Sequence, residues 1–268
     1  MSFVVLILAC GQETATNTVI TPEKEQLEIT DPVNEEELQE EELQEGSFAM
    51  LLVISQELQD PNPLNDSWGK QQTTTISRLD WSRQGLDVSY HETYCSHASS
   101  DDFGTTIQYT DGYLTARSGQ IRQGQLSSSQ VGAEFHIPTY SDLNGIHLDS
   151  IDDPLPSNSN DSRIYDMDSD GKLGITAIVN TSIGTGEVYA IQRLSYTFDG
   201  ILVNPERIEG YVTPVPEQIS LAFSEYWLEY GTSALREDTD PTRSYFIIQE
   251  IDSTWDCSSI INHQSSLF

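Results

Sequence analysis

The chain has 268 residues and a net charge of −31, with 43 Asp plus Glu against 12 Lys plus Arg. Such a balance repels DNA, RNA and anionic lipid surfaces, which excludes the nucleic-acid-binding classes. Hydrophobic residues make up 37% of the chain. That is enough for a packed core, but no run reaches the ~20 apolar residues a membrane-crossing helix needs.

The first apolar run, Phe3-Val4-Val5-Leu6-Ile7-Leu8-Ala9, ends at Cys10, and Gly11 follows. A signal peptide joins a positive n-region, an apolar h-region and a small-residue cleavage site. Here only Met1 and Ser2 precede the run, so residues 1–9 read as a signal shortened at its start. The alternative is a buried strand ending in Ala-Cys. The Ala9-Cys10 junction resembles the lipobox of bacterial lipoproteins. That resemblance implies cleavage before Cys10, lipid on its sulfur and new amino group, export, and anchorage at the outer membrane or cell surface.

Residues 10–46 read as an acidic tether. Positions 11–46 hold twelve acids and one Lys, a net of −11, which leaves −20 for 47–268. The stretch includes a direct repeat, Glu35-Glu36-Glu37-Leu38-Gln39 and Glu40-Glu41-Glu42-Leu43-Gln44. So much charge with so little apolar surface does not offset ordering entropy, and the expectation is a self-repelling disordered spacer.

From 47 to 268 the composition reads as a single β-rich domain. Residues 48–55 (FAMLLVIS) form a buried first strand, and 73–79 is β-branched and alternating. Leu86, Val88 and Tyr90 alternate with Asp87, Ser89 and His91, the pattern of a half-buried strand. Residues 107–110 and 113–115 flank Asp111-Gly112 and predict a hairpin, since Asp-Gly supplies the positive φ of a two-residue turn. The stretch 149–162 reads as a loop. Strands follow at 175–181 and 188–198, then a second Asp-Gly turn at Asp199-Gly200 before 201–203, then strands at 208–212 and 245–251. Residues 219–230 alternate as a strand and are also spaced as a helix, with Pro216 before and Gly231 after. The fold expected is all-β, an antiparallel meander closing as a barrel, or alternatively a β-sandwich, with at most one helix.

Three cysteines are present. With Cys10 lipidated, Cys95 and Cys257 form an even pair that reads as one disulfide in an oxidising compartment. His91, Cys95 and His97 are of zinc-ligating types, but their spacing fits no known site. They and His136 and His147 read as ordinary histidines. There is no G-x-S-x-G elbow, Walker loop or dinucleotide fingerprint, and no catalytic residue is assigned.

The motif that carries chemistry is Asp166-Met167-Asp168-Ser169-Asp170-Gly171. Carboxylates at alternate positions converge on one centre, and calcium takes six to eight oxygen ligands. The expected donors are Asp166, Asp168, Asp170 and the Lys172 backbone carbonyl. Asp161, Asp152 and Asp153 just upstream are further candidates, and Leu173 is the apolar anchor. The segment resembles the first half of an EF-hand loop. It departs at position nine, Gly174, and position twelve, Ala177, where the bidentate Glu belongs, so it is not an EF-hand. The alternative is an acidic solvated turn. Continued through Gly174-Ile175-Thr176, the segment also resembles an Asp-rich element of uncharacterised exported bacterial proteins, which implies no activity.

Aromatics read mostly as core partners, with a ligand-stacking role for Tyr109 and Tyr113 as the alternative. Arg193 is expected to point outward beside Tyr189 and Ile191. The leading functional reading is a monomeric, lipid-anchored, non-enzymatic envelope or surface protein with a calcium-stabilised β domain, binding or structural in role. The alternatives are an exported hydrolase with a carboxylate or calcium-assisted site, and a lipocalin-like carrier of an apolar ligand. A hollow charged interior favours the hydrolase, a hollow apolar one the carrier, and a filled one the first reading.

Overall fold

A computed structural model describes residues 43, 45–60, 65–230 and 235–268. The signal-like run, Cys10 and the acidic repeat up to 42 lie outside the described residues. Leu43, read as part of the tether, is buried in the main core, and the Arg83 guanidinium donates to its carbonyl at 2.9 Å.

The described strands are β1 (Gly46–Gln59), β2 (Trp68–Gln84), β3 (Asp87–Asp101), β4 (Thr106–Tyr109), β5 (Gln120–Leu126), β6 (Glu134–Asn144), β7 (Ile175–Asn180), β8 (Thr185–Asn204), β9 (Arg207–Phe223), β10 (Leu235–Glu237) and β11 (Tyr245–Ile251). The helices are α1 (Asp111–Arg117), α2 (Tyr226–Tyr230) and α3 (Cys257–Leu267). Every ladder between named strands is antiparallel. Pairing runs from β1 through β2, β3, β5, β6, β8, β9 and β11 and back to β1. A second path joins β3 to β8 through β4 and β7. The pairing closes on itself, yet the strands are not evenly placed round one axis, so the molecule is a mainly antiparallel sheet rather than a barrel.

β1 is apolar throughout because both of its faces are covered. Phe48, Met50, Leu52 and Ile54 enter the main core with Leu79, Phe135, Phe198, Phe246 and Ile248. On the other face Ala49 and Leu51 pack under α3 with Ile76 and Ile260. Asp256 caps α3 by accepting from the Ser259 N–H at 2.8 Å. The disulfide between Cys95 and Cys257, with Cα atoms 5.0 Å apart, fastens the start of that helix to β3.

Three sequence expectations fail here. The first Asp-Gly does not turn a hairpin: Thr110 caps α1 instead, its hydroxyl accepting from the Tyr113 N–H at 3.1 Å. Gly112 is required because a Cβ there would lie 2.1 Å from the Asp168 carbonyl oxygen. The second Asp-Gly lies inside β8, and the chain reverses after Asn204, whose side chain accepts from the Glu206 N–H at 2.9 Å. Gly200 makes room for the Phe246 ring, since a Cβ would meet it at 2.8 Å. Nor is there at most one helix: β9 runs to Phe223, so only Tyr226–Tyr230 of the ambiguous stretch is helical, and α1 and α3 are additional.

The loop over 149–162 lies on the outer face of β8. Leu155 and Ile164 pack with Ile146 and Ile191 in a small core of their own. Arg193 points outward and holds this loop, donating to the Ile151 carbonyl and, at 2.7 Å, to that of Asp153.

Candidate metal centre

The Asp-rich loop leaves the small outer core at Ile164 and returns to the sheet at β7. Two backbone bonds close its base: Met167 N–H to the Gly174 carbonyl at 3.0 Å, and Gly174 N–H to the Tyr165 carbonyl at 2.9 Å. Met167 anchors it, packing against Tyr113 and Ile175, and its sulfur accepts from the Gly145 N–H at 3.2 Å. Leu173, the anchor expected from sequence, is 48% exposed. Ser169 takes a positive φ of 60°, a conformation L-residues rarely adopt, where the chain wraps around its own carboxylates.

Asp166, Asp168 and Asp170 each offer a carboxylate oxygen, and these lie within 4.8 Å of one another. Asp166 accepts from the N–H groups of Asp170 at 3.2 Å and Gly171 at 2.8 Å. Asp170 accepts from the Lys172 N–H at 2.8 Å and the Thr176 hydroxyl at 2.5 Å. Asp168 is only 6% exposed. Its Oδ2 accepts from the Thr110 hydroxyl at 2.9 Å and the Thr176 N–H at 3.0 Å, while its Oδ1 is buried without a partner. Burial pushes the Asp168 carboxyl above the ordinary carboxylate range.

An unpartnered buried acceptor costs roughly 1–3 kcal/mol, and three neighbouring carboxylates add mutual repulsion. A hard divalent cation on these oxygens removes both penalties. Thr110 and Thr176, which the motif does not announce, orient the central carboxylate. Thr110 is legible only once the helix after it is recognised.

The upstream candidates Asp161, Asp152 and Asp153 do not join this group. Asp161 is held by the Arg163 guanidinium through two bonds of 3.0 Å, which lower its carboxyl to about 2. Asp153 accepts from the Ser150 N–H at 3.0 Å, and Asp152 is exposed on the same loop. The Lys172 ammonium lies 5.4 Å from the centre of the Tyr189 ring.

Among the described residues no other cluster of His, Cys, Asp and Glu has metal-binding spacing. Cys95 is in the disulfide, and the register shift between Ile76 and Ser77 makes it an extra residue in β3. The strand's alternation therefore slips, so His97 turns inward while His91 stays exposed. His97 meets the Thr75 hydroxyl at 2.7 Å, and burial pushes its ring down to about 3, which keeps it neutral. Tyr109 and Tyr113 stack at 4.6 Å, but as a strand–helix pair rather than across two strands.

The inner face of the sheet is apolar at one end and ionic at the other. At the ionic end Arg117 and Arg122 share Asp142, at 2.5 and 2.6 Å, and Arg117 also donates to the Tyr94 hydroxyl at 2.7 Å. Asn144 and Gln192 complete that end, 3.1 Å apart. A groove of about 1160 Å³ lies along β6, β8, β9 and β11. Of its carboxylates, Asp199 is paired with His136 at 2.7 Å and Glu209 with Arg207 at 2.5 Å.

No protein family, curated protein or solved structure matches this chain.

Proposed function

We propose that this chain is an exported, lipid-anchored, non-enzymatic protein of the cell envelope or surface. One calcium ion stabilises its β domain. Asp166, Asp168 and Asp170 supply carboxylate oxygens and Lys172 supplies its backbone carbonyl. Cys10 carries the lipid, and the acidic stretch after it spaces the domain from the membrane. The domain acts as a monomer in a binding or structural role.

The observation that carries the reading is the buried, unpartnered Oδ1 of Asp168 within the aspartate triad. A solvated acidic turn would expose its central carboxylate to water. This one is buried, and Thr110 and Thr176 fix its other oxygen. The packed inner face favours a binding or structural role over the hydrolase and the carrier. Its aromatic end is filled by Phe48, Phe135, Phe198 and Phe246, and its carboxylates face guanidinium groups.

Isothermal titration of calcium into the EDTA-stripped full chain tests the site. One binding event is expected, weakened at least about tenfold in Asp168→Asn, which keeps the size of the side chain and removes its charge. An absence of binding heat and of any competition with a calcium indicator overturns it. For the anchor, palmitate labelling in a bacterial host is expected for the full chain and absent from Cys10→Ser.

A further inference from the structure

Four buried side-chain polar atoms on the inner face have no hydrogen-bond partner among the described residues: Trp81 Nε1, Tyr90 Oη, Glu92 Oε2 and Arg122 Nε. The four residues are neighbours. Trp81 stands opposite Tyr90 in the β2–β3 ladder, and Tyr90 opposite Arg122 in the β3–β5 ladder. Glu92 is two residues beyond Tyr90, on the same face of β3. Their exposures are 4%, 1%, 1% and 8% in the order Trp81, Tyr90, Glu92, Arg122. The Trp81 and Tyr90 rings stack at 5.6 Å.

Glu92 and Arg122 are not free to turn elsewhere, because their other atoms are engaged. The Ser77 hydroxyl donates to Glu92 Oε1 at 2.9 Å, and Arg122 Nη2 donates to Asp142 Oδ1 at 2.6 Å. The Arg122 guanidinium also lies 4.0 Å from the centre of the Tyr140 ring. Arg122 Nε and Glu92 Oε2 remain 3.8 Å apart. That is too long for a direct hydrogen bond, and it is a separation that one water molecule bridges. Four orphaned buried polar atoms on neighbouring residues would cost a large share of a domain's net stability.

Charge and valence identify the occupant. Two guanidiniums, Arg117 and Arg122, face two carboxylates, Asp142 and Glu92, so the locality favours neither an anion nor a cation. Trp81 and Arg122 can only donate, the Glu92 carboxylate accepts, and the Tyr90 hydroxyl does either. A molecule that accepts two hydrogen bonds and donates two meets that set, and the smallest such molecule is water. We propose that the inner face holds an internal water site, bridging Arg122 Nε–H and Glu92 Oε2 and continuing to the Tyr90 hydroxyl and the Trp81 indole N–H. The water completes a chain from Ser77 through Glu92 and Arg122 to Asp142 and Arg117, joining the ionic end of the interior to its aromatic end.

A crystal structure of the full chain, at a resolution where ordered waters are visible, tests this. The expected result is a spherical density peak within hydrogen-bonding distance of both Arg122 Nε and Glu92 Oε2. Direct contact between those two atoms with no peak overturns the proposal, and so does elongated density from a larger ligand. In solution, the indole N–H of Trp81, assigned by its loss in Trp81→Phe, is expected to show a nuclear Overhauser cross-peak to long-lived water. A crystal without the peak, together with a silent indole, leaves no water site.

Discussion

One oxygen of Asp168 is occupied by Thr110 and Thr176 while the other is buried and bare. Glu92, on the inner face, has the same division, with Oε1 bound to Ser77 and Oε2 unpartnered. The two carboxyls differ in their neighbours. Asp168 sits among like charges, whereas Glu92 sits beside Arg122. Burial is nevertheless the dominant influence on Glu92 and raises its carboxyl above the ordinary value of 4.5. The folded state therefore binds this proton more tightly than the unfolded chain. The resulting contribution to stability is full below the unfolded-state value and is lost as pH rises through the folded one. Chemical denaturation at a series of pH values, starting near 4.5, is expected to show this fall in the wild type. Glu92→Gln should lack that component, so the stability difference, variant minus wild type, should grow with pH. A difference that shrinks as pH rises contradicts the assignment.

At the scale of elements, α1 links the Asp-rich loop to the ionic interior. Its cap, Thr110, donates to Asp168, and its last residue, Arg117, donates to Asp142 and Tyr94. Thr110→Ala removes both the cap and a bond to the central carboxylate. It is expected to cost about 1 kcal/mol from the cap alone and to weaken calcium binding, measured by denaturation and titration of the same preparation. A loss of stability with unchanged calcium affinity would separate the helix from the loop. α3 is held to the sheet both by packing on Ala49 and Ile76 and by its covalent attachment. The disulfide spans 162 residues of sequence, and reducing it is expected to lower stability by about 2–5 kcal/mol. Denaturation with and without reductant measures this, and no change contradicts a structural role for the bridge.

These helices also mark where sequence and structure part. β1, β7 and β11 were readable because their apolar patterns suit strands covered on one or both faces. α1 was hidden by Asp111-Gly112, whose glycine answers to the backbone of Asp168, 56 positions along the chain and invisible to any local rule. Gly200 misled in the same way, answering to Phe246. α3 has only Ile260 fully buried; Ile261 and Leu267 pack beside it, but the Ser, Asn, His and Gln residues between them dilute the apolar signal. At the Asp-rich loop the alternating aspartates were legible from spacing. The engagement of Asp161 by Arg163 and the role of Met167 as anchor were not, because both depend on how the loop folds back.

For the molecule as a whole the net charge is −31, of which −20 falls within residues 47–268, and that charge sets the conditions under which the domain must hold together. Self-repulsion on that scale weakens the compact state, and the Asp triad concentrates it where one carboxylate is also desolvated. A divalent ion bound only by the folded state stabilises by mass action, by about 2.7 kcal/mol when its concentration is a hundred times the dissociation constant. For a domain of this size that corresponds to a rise in Tm of roughly 5–10 °C. Magnesium at equal concentration supplies the same ionic screening but demands a tighter octahedral shell, which makes it the control for charge alone. The decisive measurement is the melting temperature of the full chain in EDTA, in excess magnesium and in excess calcium at equal ionic strength. The lowest value is expected in EDTA and the highest in calcium, with the calcium-specific rise absent from Asp168→Asn. Coincident melting curves in all three solutions would contradict a calcium-stabilised domain.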